Sequence, residues 1–147
     1  METFENTITI QRPAEQVFAF LADFENIPKW NYAIEETRKA SPGPVGAGTT
    51  YRQTRTVPRR SQERFEVTVF EPVTRLAVRG QVGPFDASIS YLLEPVAGAT
   101  RLINKVALEP PQAVLRLVAP LAIRVVKAAV SQNLAKLKLI LDGDGPA

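Results

Sequence analysis

The chain has neither cysteine nor histidine among its 147 residues. Without cysteine there is no disulfide framework, no thiolate metal site and no thiol nucleophile. Without histidine the commonest general base and the commonest metal ligand are missing together. Any chemistry therefore falls to carboxylates, Tyr, Lys, Arg or Ser/Thr, and neither a metal nor a cofactor is expected. Long apolar runs are lacking too. The most apolar segment, Ala113 to Val130, is interrupted by Arg116, Pro120, Arg124 and Lys127, too polar for a stretch of about 20 residues crossing a bilayer. The opening Met1-Glu2-Thr3-Phe4-Glu5 has acids and no basic segment ahead of an apolar one, unlike a secretory signal. Cytoplasmic residence with no membrane span is the expectation.

What is present is an ordinary globular balance, 45% hydrophobic and 22% charged. A chain of this length buries roughly 70% of its unfolded surface, enough for one sizeable core. The net charge of +3 is mildly basic, and a nucleic-acid binder concentrates such charge on one face. The dense basic cluster is Arg55, Arg59, Arg60 and Arg64 around Pro58. It reads as a solvated hairpin tip, because no aromatic residues are interleaved for base stacking. An acidic lipid head group, a phosphopantetheine-bearing carrier or a nucleic acid are its alternative partners, and no nucleic acid is expected.

Phe4 to Ile10 alternates, with Phe4, Asn6, Ile8 and Ile10 on one face, as a half-buried strand does. Pro13 suits a first helical turn, and Val17, Phe20 and Leu21 follow at helical spacing. Asp23 can cap a second brief helical turn interrupted at Pro28. Strands are then expected over Ile34 to Ala40, Thr49 to Val57, Arg64 to Phe70, Arg75 to Gly80, Phe85 to Leu93 and Thr100 to Leu108, with a turn-rich connection from Ser41 to Gly48. Their close spacing favours antiparallel neighbours. After Pro110 and Pro111 the period changes, and Ala113 to Leu141 reads as one long helix, kinked or offset near Pro120. Its apolar stripe is Val126, Val130, Leu134, Leu137 and Leu141. Residues 142–147 read as a mobile tail. With no repeat and no interior linker, residues 1–147 are expected to form a single α+β domain.

That order, with its punctuation, resembles the START-like or Bet v 1-like superfamily (SRPBCC), especially its polyketide cyclase/dehydrase and lipid-transport branch. The matching text is Ile10-Gln11-Arg12-Pro13-Ala14-Glu15-Gln16-Val17-Phe18, then Leu21-Ala22-Asp23 with Asn26, Pro28 and Trp30-Asn31, then Gly43-Pro44 through Gly48-Thr49 and Tyr51. Phe70-Glu71-Pro72 with Arg75-Leu76, and Tyr91-Leu92-Leu93-Glu94-Pro95 with Gly98 and Thr100-Arg101, resemble its later hairpin borders. The resemblance implies a helix-grip fold: a seven-stranded curled antiparallel sheet round a long C-terminal helix, enclosing a cavity for a hydrophobic small molecule. Its relatives include carriers, receptors and cyclases, so no catalytic residue carries over by position.

Candidate site residues follow from strand and helix periodicity. If Tyr51 faces inward, Gln53 and Arg55 share its face; otherwise these groups reach water at an open edge. Glu63 is the inward carboxylate in register with Phe65, Val67 and Val69, at a position expected on the solvated rim. Asn104, flanked by Leu102 and Val106, orients a ligand carbonyl or hydroxyl, or makes a structural hydrogen bond to a neighbouring strand. Trp30 and Tyr32 cover a ligand at the cavity entrance or close the core. Tyr91, in line with Ile89 and Leu93, supplies a cavity hydroxyl or packs in the core. Leu117, Leu121, Val125 and Ala128 are the expected helical wall.

The favoured function is binding or transport of a hydrophobic small molecule such as a lipid, isoprenoid quinone or polyketide. The alternatives are a cyclase/dehydratase-type enzyme using Tyr51, Arg55, Glu63 and Tyr91 for positioning and weak acid/base catalysis, or a protein-interaction regulator. Monomer and homodimer remain open.

Overall fold

The computed structural model describes residues 2–110, 117 and 119–143. Its elements are β1 (Glu2–Ile10), α1 (Ala14–Ala22), a single 3-10 turn (Phe24–Asn26), α2 (Ile27–Trp30), β2 (Ile34–Lys39), β3 (Thr50–Arg55), β4 (Ser61–Glu71), β5 (Arg75–Val82), β6 (Phe85–Val96), β7 (Ala99–Glu109) and α3 (Ala119–Gly143). The strands form one curled antiparallel sheet in the order β1-β7-β6-β5-β4-β3-β2. Strands β1 and β2 are thus opposite edges although they follow each other in the chain. The connection through α1 and α2 spans the sheet, and α3 packs against β1 and α2. This is the helix-grip arrangement.

Turn chemistry explains the long central hairpins. Ala97 and Gly98 both have positive φ (50° and 84°) between the paired Val96 and Ala99, as a two-residue type I′ hairpin requires. Glu71-Pro72-Val73-Thr74 closes with a Thr74 N–H donating to Glu71 O at 3.0 Å. Proline stands at its second position and Val73 at φ 72°, the backbone of a type II turn. Gly80 is fixed by a close approach instead: a Cβ there would lie 2.4 Å from Arg64 O and 2.6 Å from Phe65 Cβ.

The expected strands are present, β2 and β3 shorter than expected and the others extended, and one expected face is corrected. The β4 to β5 register shifts between Val67 and Val69, leaving Thr68 as the extra residue of a bulge. Val69 therefore pairs with outward Ala77, while Phe70 pairs with buried Leu76 and joins the core against Phe18. Strict alternation from Glu63 to Val69 fails at that bulge.

Helix α3 begins at Ala119, so Pro120 lies in its first turn, where a missing N–H costs nothing. It marks a start and not the expected kink. The expected helical stretch 113–116 and residue 118 lie outside the described residues. Leu134 and Leu137 are fully buried against the sheet. Asp142 and Gly143, expected in the mobile tail, complete the helix; residues 144–147 lie outside the described residues. Asp142 accepts from Gln11 N–H at 2.6 Å and pairs with Lys138 Nζ at 2.6 Å, and Lys138 also donates to Thr9 O. The end of α3 is thereby latched to the end of β1. Among the described residues no helix is long and apolar enough to cross a membrane.

Candidate functional site

A cavity of about 400 Å³ lies between α3, α2 and the concave face of the sheet. Phe85, Ile89 and Val106 line it from β6 and β7, and Val126, Val130 and Leu134 from α3. Its room comes from sequence: Ala122 and Ala129, seven residues apart on one helical face, present single methyl groups where larger apolar residues would fill the space. A second chamber of about 90 Å³ lies deeper against Leu21, Phe24 and Phe65. Trp30, Asn31, Arg55, Val82, Ile89 and Tyr91 border both. The main volume falls in the ordinary range for small-molecule sites.

One charged side chain, Arg55, lines these chambers among the described residues, and its charge is compensated. Arg55 Nε lies 2.6 Å from Glu63 Oε2 and Nη2 lies 3.2 Å from Oε1. Glu63 also accepts from Gln53 Nε2 at 3.0 Å and from the Gly83 N–H at 3.0 Å, while Gln53 Oε1 accepts from Thr37 Oγ1 at 3.5 Å. Gln53 and Glu63 are direct cross-strand partners, which is why the network forms. It ties β2, β3, β4 and the β5–β6 turn together at the cavity wall. Glu63 is only 4% exposed, so the expected solvated rim position is corrected. Its roughly four lone-pair sites are all engaged, leaving none to take a substrate proton.

Neutral polar groups complete the lining. Asn104, fully buried, donates from Nδ2 to Ser90 O at 3.4 Å and accepts at Oδ1 from Asn6 Nδ2 at 3.5 Å. Both contacts are longer than the usual 2.9–3.0 Å. Tyr91, its cross-strand neighbour on β6, has no hydrogen-bond partner for its hydroxyl among the described residues. Burial pushes that hydroxyl's pKa well above the usual tyrosine value, so it stays protonated. Asn133 Oδ1 accepts from Tyr32 N–H at 3.3 Å and Asn31 Oδ1 from Ala33 N–H at 3.0 Å, with both side-chain amides on the cavity wall.

The structure brings together Trp30, Tyr32, Arg55, Tyr91, Asn104 and Val125 around the main cavity and places Gln53 at the deeper chamber. Tyr51 is not on the wall. It faces inward as the strand period requires, but it stacks on Phe65 with centroids 5.0 Å apart and touches Phe24. Burial, then the Glu25 and Asp23 carboxylates, raise its pKa to about 12. Leu117 and Leu121 are 88% and 68% exposed and also lie off the wall, as does exposed Ala128. The helix carries two apolar stripes, and the wall is the one through Ala122, Val126 and Ala129. Asn31, Asn133 and the two alanines escape a reading by period alone. Asn133 does carry a signal, since it stands three residues after Val130 and four before Leu137 on the apolar stripe. In the basic loop, Arg60 pairs with Glu35 at 2.8 Å and Arg55 turns inward, so the cluster is divided. Among the described residues no group of three or more acidic side chains is placed to hold a metal ion.

Comparison with known proteins agrees with this architecture. The family model described as "Polyketide cyclase / dehydrase and lipid transport" matches residues 1–141. The uncharacterized protein Rv2574 of Mycobacterium tuberculosis (strain ATCC 25618 / H37Rv) is 35% identical over 109 residues, 67% of this chain. The chain spans about 60% of the length of the curated relatives it matches. Among solved structures, TTHA0849 from Thermus thermophilus superposes with a TM-score of 0.77 at 17% identity, covering 93% of this chain and 94% of that one. The di-domain ARO/CYC StfQ from the steffimycin biosynthetic pathway superposes with a TM-score of 0.79 at 12% identity, covering 99% of this chain and 52% of that one. At these identities the structural likenesses establish the fold.

Proposed function

The chain belongs to the polyketide cyclase/dehydrase and lipid-transport family, and from that premise we propose that it binds and carries a hydrophobic small molecule in the cavity under α3. The observation that carries this reading is the chamber itself: about 400 Å³, walled by apolar side chains, with Arg55 already neutralised by Glu63. Burial of an apolar ligand supplies the affinity at about 25 cal/mol per Å² removed from water, and the few polar groups orient it. No covalent step is needed. A lipid, an isoprenoid quinone and a polyketide are the ligand classes of suitable character. Native mass spectrometry of the purified protein, followed by titration with a lipid, quinone and polyketide panel, tests the reading. A bound apolar mass or saturable binding is expected; a protein that takes up no member of the panel is the contrary result.

A cyclase-type activity is the second reading, and the unpartnered Tyr91 hydroxyl in the cavity favours it as a weak acid. Of the four residues suited to such chemistry, Tyr51 is packed in the core and Glu63 is saturated by hydrogen bonds. Arg55 and Tyr91 are left to position and polarise a carbonyl. Turnover of a cyclisable polyketone that survives Tyr91→Phe would remove Tyr91 from any such role.

A further inference from the structure

The cavity's polar side chains divide unequally between donors and acceptors. Asn31 and Asn133 each have a side-chain oxygen held by a backbone N–H, and Asn104 has its Nδ2 held by a backbone carbonyl, so all three amide orientations are fixed. Every acceptor oxygen so fixed already receives a hydrogen bond, Asn104 Oδ1 from Asn6 included. The four acceptor bonds of Glu63 close off its carboxylate as well. What has no partner among the described residues is nearly all N–H or O–H: Trp30 Nε1, Asn31 Nδ2, Asn133 Nδ2, Arg55 Nη1 and the Tyr32 and Tyr91 hydroxyls. Among these side chains the Tyr91 and Tyr32 hydroxyl oxygens can also accept, as can the second lone pair of each amide oxygen, but the open N–H and O–H groups outnumber them.

We propose that the site selects neutral apolar molecules carrying carbonyl-type oxygens, acceptors without donors, over hydroxylated or purely hydrocarbon molecules of the same shape. This rests on the cavity being a ligand site and narrows what it takes. A carbonyl oxygen finds N–H and O–H groups that otherwise go unsatisfied when water leaves the cavity, and an unsatisfied buried donor is costly. A hydroxyl of the ligand instead brings a further donor into a lining whose open donors already outnumber its open acceptor positions. An apolar hydrocarbon leaves every lining donor dry. Arg55, neutralised by Glu63, does not demand an anion.

The test is displacement of a neutral apolar fluorescent probe, N-phenylnaphthylamine, by three matched competitors. These are an alkyl naphthoquinone, the same alkylnaphthalene without oxygens, and the corresponding dihydroxynaphthalene kept reduced under anaerobic conditions. The quinone is expected to compete about tenfold better than either other compound, the value of one hydrogen bond satisfied inside an apolar site. In Tyr91→Phe the quinone-to-hydrocarbon ratio is expected to fall, and because it is a ratio within one protein, lost stability does not imitate the result. If the probe binds but the quinone shows no preference, the acceptor rule is overturned while apolar binding stands. If the ratio is unchanged in Tyr91→Phe and Asn133→Ala alike, the rule is overturned. If neither probe nor competitor binds, the carrier reading fails and the inference with it.

Discussion

Arg55 and Glu63 face each other as a buried ion pair, Nε to Oε2 2.6 Å, with side chains 12% and 3% exposed. Removing one partner leaves a buried charge without compensation, which costs about 3–5 kcal/mol. Glu63→Gln and Arg55→Met are each expected to lose that much in urea unfolding. The double variant Arg55→Met/Glu63→Met is expected to lose clearly less than the sum. Additive losses would show that the two residues act independently.

Gly80 permits β5 to approach β4 more closely than any side chain allows. Gly80→Ala puts a methyl against the Arg64 carbonyl and Phe65 Cβ, and the overpacking costs about 1–3 kcal/mol. Gly46→Ala, where an added Cβ meets nothing within 4 Å, serves as the control and is expected within about 0.5 kcal/mol of wild type. Equal unfolding midpoints for the two variants would contradict the close-approach account.

Val73 holds a left-handed backbone at φ 72° in a type II turn, a conformation costing a branched residue about 1–3 kcal/mol. Val73→Asn and Val73→Gly are expected to raise the melting temperature, with Gly giving back part of the gain through unfolded-state entropy. A lower melting temperature for both would mean that the half-buried valine side chain contributes more than its backbone costs.

The buried tyrosines make the fold sensitive to alkali. Tyr51 is pushed up to about 12 by burial, then by Glu25 and Asp23, from an unfolded value near 10. Above pH 10 the unfolded chain releases that proton while the folded one keeps it, so stability falls as pH rises from about 10 to about 12. Tyr91, shifted in the same direction by burial, extends the loss further. Tyr51→Phe is expected to flatten the first part of this decline in chemical denaturation; an unchanged slope would contradict it.

Much of this fold is legible in the sequence because its signals are local. Alternation places Ile8 and Ile10, or Leu102, Asn104 and Val106, on one face without knowledge of any partner. The features that escape such a reading depend on distant parts of the chain. Whether Thr68 bulges out is decided by the register with β5, and it reverses Val69 and Phe70. Glu63 is buried because Gln53, Arg55 and the Gly83 N–H converge on it from three other places in the sequence. Helical period finds the stripe through Leu134 and Leu137 that the sheet covers but not which neighbouring positions border the cavity, so it points to Leu117 and Leu121 for a wall that Ala122 and Ala129 form. Strand period puts Tyr51 on the inner face, yet that face also holds core far from the cavity.

Trp30 is the chain's single tryptophan and borders both chambers, so its emission reports directly on whether the cavity takes a ligand. Titration of the wild-type protein with a neutral apolar probe is predicted to quench Trp30 saturably at one probe per chain. In Ala129→Phe, shown folded by its circular dichroism, the ring occupies the space and the saturable change is predicted to disappear. A wild-type protein that shows no saturable change, or a filled variant that responds as wild type does, would contradict the assignment of this cavity as the ligand site.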